Sequence, residues 1–182
     1  KGFTTNPSLM RAAGAKDYKK YSTTLIKICN KKPISLEVFA DNEIEIENQA
    51  NLIKTWGKNV YVKIPVLNTK GKFLGKVIKK LSYKGFKLNI TAVYDFNQVK
   101  KILKIVNKKS NTIISIFVGR MADAGKDPLP IIKKSVALTR KYKNIKILWA
   151  STREPYNYIQ SCDYKCDIIT MPPSIIEKIS KF

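Results

Sequence analysis

A lysine stands among apolar neighbours in Asn59-Val60-Tyr61-Val62-Lys63-Ile64-Pro65-Val66. A β-branched run closed by a proline reads as a buried strand, which leaves the ammonium of Lys63 little water. Desolvation disfavours the charged form, and a neutral amine in a pocket can attack a ketone to form a Schiff base. The plain alternative is a lysine that snorkels from a strand end to solvent. Glu37 poses a similar question. Ile34, Leu36, Val38 and Phe39 surround it, and a carboxylate inside an apolar strand needs a partner or a task.

The composition narrows the chemistry available. Histidine is absent, which excludes Ser-His and Cys-His nucleophile systems and His-rich zinc sites. Reactions must run on lysine, carboxylates, hydroxyls or cysteine, and no metal site is expected. The three cysteines, Cys29, Cys162 and Cys166, lack the spacing of a zinc knuckle or redox motif and read as reduced thiols, mostly core fillers. A formal charge of +22 would ordinarily suggest nucleic acid. Here the lysines are spread along the whole chain, without an aromatic-interleaved groove, and the arginines are only Arg11, Arg120, Arg140 and Arg153. That pattern fits solvated helix faces, so no nucleic-acid partner is expected. No apolar run approaches the ~18 residues of a membrane span.

The elements that must position Lys63 and Glu37 follow from periodicity. Seven β-rich runs, at residues 2–6, 34–40, 60–66, 87–93, 112–119, 145–151 and 167–171, alternate with seven amphipathic stretches. Ile44, Ile46, Ala50, Ile53 and Trp56 form one such stripe, and Val99, Ile102, Leu103 and Val106 another. Strict alternation predicts a single α/β domain over residues 1–182 with parallel strands and right-handed crossovers. An open doubly wound sheet is the competitor, but the chain has no G-x-G-x-x-G loop. In a closed barrel the polar residues at the strand ends, Asn6, Glu37, Lys63, Asn89, Thr91, Ser115, Arg120, Ser151 and Arg153, would share one face. Singly, several have simpler readings: Asn6 as a helix cap before Pro7, Thr91 as a strand threonine, Ser151 as a cap for a helix opening near Arg153.

Six motifs in order, with a seventh near the chain's end, resemble those of the transaldolases. They are Gly2-Phe3-Thr4-Thr5-Asn6-Pro7-Ser8, Ser35-Leu36-Glu37-Val38, Val62-Lys63-Ile64-Pro65-Val66, Leu88-Asn89-Ile90-Thr91-Ala92, Ile114-Ser115-Ile116-Phe117-Val118-Gly119-Arg120, Trp149-Ala150-Ser151-Thr152-Arg153 and Asp167-Ile168-Ile169-Thr170-Met171-Pro172. The resemblance covers the whole chain and implies a (β/α)8 TIM barrel of the smaller bacterial and phage type. It implies a cofactor-free transfer of a dihydroxyacetone unit between sugar phosphates, a step of the pentose phosphate pathway, in a cytoplasmic homo-oligomer. By the same resemblance Lys63 is the Schiff-base nucleophile, and Glu37 with Thr91 activates the water of carbinolamine dehydration. Thr4, Asn6, Asn89 and Ser115 would hold the dihydroxyacetone arm, Phe117 would line the pocket, and Ser151, Arg120 and Arg153 would bind phosphate. Charge-assisted bonds to phosphate suit arginine.

The resemblance also sets an expectation about extent. The match begins at the family's second strand, so the first strand and helix, with the aspartate that takes the proton of the donor's C4 hydroxyl, are expected to be missing from this chain, as in a fragment of a longer protein or in a reduced barrel that cannot close. The last helix ends early. Fructose-6-phosphate aldolase is the nearest alternative, and it carries tyrosine where this chain has Phe117 and glutamine where it has Glu37. A non-catalytic barrel that binds sugar phosphates is the other.

Overall fold

The computed structural model describes residues 2–181. The strands are β1 (Phe3–Thr4), β2 (Ile34–Glu37), β3 (Val60–Pro65), β4 (Leu88–Val93), β5 (Thr112–Phe117), β6 (Ile145–Ala150) and β7 (Ile168–Ile169). They form one parallel sheet in the order β1-β2-β3-β4-β5-β6-β7. The helices are α1 (Pro7–Ala12), α2 (Tyr18–Ile28), α3 (Glu43–Lys54), α4 (Gly75–Tyr83), α5 (Phe96–Ile105), α6 (Val118–Asp123), α7 (Leu129–Thr139), α8 (Tyr156–Asp163) and α9 (Pro173–Ile179). The alternation is that of a (β/α) barrel, and the described residues supply seven strands of it.

Each strand turns alternate side chains to opposite faces. Leu36, Val62, Ile64, Leu88, Ile90, Ile114, Ile116, Ile147 and Trp149 face the helices and form the main core with Ile46, Ala50 and Ile53 of α3, Ile78 and Leu81 of α4, and Val99 and Ile102 of α5. The opposite face is the barrel interior. There Ile113, Leu148 and Ala150 cluster with Tyr61, Phe117 and Ile168. Helix starts are fixed by side chains that accept otherwise orphaned N–H groups: Asn6 for α1, Asp17 for α2, Asn42 for α3, and a full Asp95–Gln98 capping box for α5.

Four expectations are corrected. Nine helices are described rather than seven, because the β1–β2 and β5–β6 connections each hold two. The outermost runs shrink to two residues each: Asn6 already caps α1, and Pro172 precedes α9. Ile44 is 75% exposed and does not belong to the buried stripe of α3, since it lies about 200° around the helix from Ile46. Of the cysteines only Cys29 is buried. Cys162 is exposed and Cys166 half-buried, its thiol pushed up to about 12 chiefly by desolvation. Among the described residues no helix is long and apolar enough to cross a membrane.

Candidate active site

Strand register assembles the centre of the site. Glu37 is paired with Lys63 across β2 and β3, and Lys63 with Asn89 across β3 and β4. All three point into the barrel at one level, because paired residues of neighbouring strands share a face. Lys63 lies in the third of seven strands, not at an edge, and is 7% exposed. Its Nζ is 3.1 Å from Glu37 Oε2 and donates to the carbonyl of Thr5 at 3.1 Å. The ammonium is therefore compensated rather than bare, and the carboxylate beside it is placed to exchange its proton. Separating this largely buried pair by deleting one partner leaves an uncompensated charge, at a cost of about 3–5 kcal/mol.

Hydroxyl and amide groups continue the polar wall. Ser115 Oγ donates to Asn89 Oδ1 at 2.7 Å, and Asn89 Nδ2 donates to Ser35 Oγ at 3.0 Å. Thr91, 1% exposed, has an Oγ1 without a hydrogen-bond partner among the described residues. A buried orphan hydroxyl costs stability, and it lies one inward position beyond Asn89 on the strand beside Lys63. Polar groups thus run along the interior from Ser35 and Glu37 on β2 to Ser115 on β5, beside the apolar cluster of Ile113, Leu148, Ala150 and Ile168.

The rim carries the cations. Arg120 lies on α6, its guanidinium 4.8 Å over the ring of Phe117, and its Nη1 donates to Tyr94 Oη at 3.4 Å. Arg153 donates from Nε and Nη2 to Asp123 Oδ2 at 2.9 and 2.6 Å. Those bonds hold the Asp123 carboxyl below the usual carboxylate range, with the charge of Arg120 helping. Asp123 is thus bonded to Arg153 and feels the charge of Arg120 nearby. Gly119 makes this closeness possible, because a Cβ there would fall on the carbonyl oxygen of Ser151. Ser151 has φ +66 and caps no helix; α8 begins only at Tyr156, after Pro155. Its left-handed backbone turns the chain from β6 back toward α6.

Asn6 and Thr4 sit at the β1 end, both half-buried. The Oδ1 of Asn6 is engaged by Leu9 N–H at 2.8 Å, so its amide N–H groups are what remain to reach a ligand. Sequence reasoning missed several supporting groups. Ser35 was recoverable from period two, lying one inward position before Glu37. The backbone carbonyl of Thr5 leaves no signature in residue type. Tyr18 of α2 donates to the carbonyl of Glu37 at 2.9 Å and packs edge-on to Phe39, bracing the end of β2. Tyr94 and Asp123 gave no signal before their contacts were known.

The family whose sequence model matches residues 1–182 is described as Transaldolase/Fructose-6-phosphate aldolase. This chain belongs to that family. Curated relatives agree. A probable transaldolase of Caldicellulosiruptor saccharolyticus is 36% identical over 183 residues, which cover 99% of this chain and 79% of the relative. One from Herpetosiphon aurantiacus is 30% identical over 181 residues, covering 99% and 77%. Among solved structures, inosine 5' monophosphate dehydrogenase from Legionella pneumophila superposes with a TM-score of 0.60 at 15% identity, over 92% of this chain and 53% of that one. That likeness concerns the fold alone. For a transaldolase/fructose-6-phosphate aldolase chain, the pairing of Lys63 with Glu37 is the feature that calls for a chemical explanation.

Proposed function

We propose that the protein is a transaldolase, moving a dihydroxyacetone unit from a ketose phosphate such as fructose 6-phosphate or sedoheptulose 7-phosphate to an aldose phosphate. The observation that carries this reading is the Lys63–Glu37 pair, 3.1 Å apart inside the barrel, with the hydroxyl of Thr91, unpartnered among the described residues, on the next strand. Lys63 gives up a proton to Glu37 and its Nζ attacks the C2 carbonyl. The carbinolamine loses water with the proton returned by Glu37, and Thr91 steadies that water. The resulting iminium draws electrons from the C3–C4 bond as the C4 hydroxyl gives its proton to a carboxylate base, the role that the aspartate of the family's first strand fills. An aldehyde leaves, and the enamine on Lys63 attacks the incoming aldehyde carbon, whose oxygen takes the proton back from that base. Water then hydrolyses the new iminium.

The Ser35–Asn89–Ser115 chain, with Thr4 and Asn6, offers donors and acceptors for the hydroxyls of the bound arm. Arg120 and Arg153, with Ser151, take the phosphate. Glu37 and Phe117 favour transfer over simple cleavage, since the aldolase pattern differs at both. In the same reading the protein serves the pentose phosphate pathway in the cytoplasm as a homo-oligomer.

The test is borohydride reduction in the presence of fructose 6-phosphate, followed by peptide mass spectrometry. A three-carbon adduct on Lys63, lost in Lys63→Met and discharged by an added aldose phosphate, is the expected result. A six-carbon adduct alone would mean Schiff-base formation without cleavage. A cleaved adduct indifferent to acceptor would make the protein an aldolase. No adduct at all would leave a binding protein.

A further inference from the structure

We infer that Tyr94 is a positioning residue that sets the preference for phosphorylated ligands by holding the guanidinium of Arg120. The inference rests on the reading of Arg120 as a phosphate ligand. It begins with a backbone irregularity in β4. Ile90 pairs with Ile114 and Val93 with Ile116, so β4 spends one residue more than β5 over the same stretch. The irregular stretch includes Ala92, at φ +56, a left-handed conformation that is strained for a residue with a Cβ.

A one-residue bulge exchanges the two faces of everything after it. Thr91 points into the barrel, and regular alternation would send Val93 inward and Tyr94 out to the helices. Instead Val93 is fully buried in the main core with Ile90 and Val99, and Tyr94 comes to the interior side. There its ring meets Phe117 edge-on, with centroids 5.6 Å apart at 74°. Its hydroxyl accepts from Arg120 Nη1 at 3.4 Å, and the Arg120 guanidinium stacks 4.8 Å over Phe117. Tyr94, Phe117 and Arg120 thus form a three-sided bracket in which the guanidinium lies over Phe117 and gives one N–H to Tyr94.

Only one N–H is spent on Tyr94, and a guanidinium has five. The others remain for a phosphate, already oriented, so less side-chain freedom is lost on binding. An unphosphorylated polyol has no use for that orientation. Tyr94 therefore acts on the discrimination between ester and free sugar, and it does so through Arg120.

Binding of glucitol 6-phosphate and of glucitol, neither of which can form a Schiff base, tests this by calorimetry, apart from any catalysis. Tyr94→Phe keeps the ring against Phe117 and removes the hydroxyl. It should reduce the affinity ratio of ester to free polyol about 3- to 10-fold, the range of one lost hydrogen bond. The same change made on an Arg120→Gln background should leave that ratio unmoved. A ratio unaltered by Tyr94→Phe, or lowered equally in both backgrounds, overturns the inference, as does a native protein with no preference for the ester. Borohydride trapping on Lys63 in native protein is scored separately, so failure of the catalytic reading is told apart from failure of this one.

Discussion

Glu37 and Thr91, on the strands either side of Lys63, differ in what they owe the fold. Glu37 neutralises the lysine, whereas Thr91 contributes a buried hydroxyl that no described group satisfies. Thr91→Val should therefore leave stability unchanged or raise it by about 1 kcal/mol, while slowing exchange of the ketone oxygen with solvent. Thermal melting and loss of oxygen-18 from C2-labelled fructose 6-phosphate measure the two effects on one sample. A valine variant that melts lower and exchanges at the native rate would make Thr91 a strand residue and nothing more. Glu37→Gln should slow the same exchange about 10²- to 10⁴-fold, the span attributed to positioned acid–base groups.

The elements make these pairings possible, and most of them were readable. Apolar alternation around Lys63 and Glu37 gave both strands and their inward face, and their direct register across β2–β3 follows once the strands are adjacent. What could not be read was any departure from period two. Ala92 is an ordinary strand residue by type, so nothing in the sequence announces its left-handed backbone or the turning of Tyr94 into the site. Ser151 looked like a helix cap because serine is common there, yet its positive φ serves the close approach of α6. The glycine behind that approach, Gly119, yields an element-scale expectation. Gly119→Ala must push α6 off the Ser151 carbonyl, costing roughly 1–3 kcal/mol, and should weaken phosphate binding more than glucitol binding. Melting and calorimetry check both, and an alanine variant with native values would mean that α6 gives way freely.

For the molecule as a whole, charge and buried acids set the limits of stability. At +22 the protein repels itself, so lengthening the reach of its field from about 8 to 30 Å, by lowering salt from roughly 150 to 10 mM, should lower the melting temperature. At the alkaline end Tyr18 is raised from 10.0 to about 12, mainly by burial, and Cys166 from 9.0 to about 12. Between those values the unfolded chain has released protons that the folded one retains, so stability is full at neutral pH and falls as pH climbs from about 9 to 12. Tyr18→Phe should flatten part of that fall, read as melting temperature against pH; an unaltered slope would assign it to other groups. The strand order has a different consequence, one of timing. Every strand pairs with its immediate neighbours in the sequence, each across a single crossover. A chain emerging from the ribosome therefore finds the partner of each of the described strands β2 to β7 already made, across one intervening connection. Glu37 lies 26 residues before Lys63, so their pairing closes a short loop, whereas the rim arginines Arg120 and Arg153 come 57 and 90 residues after it.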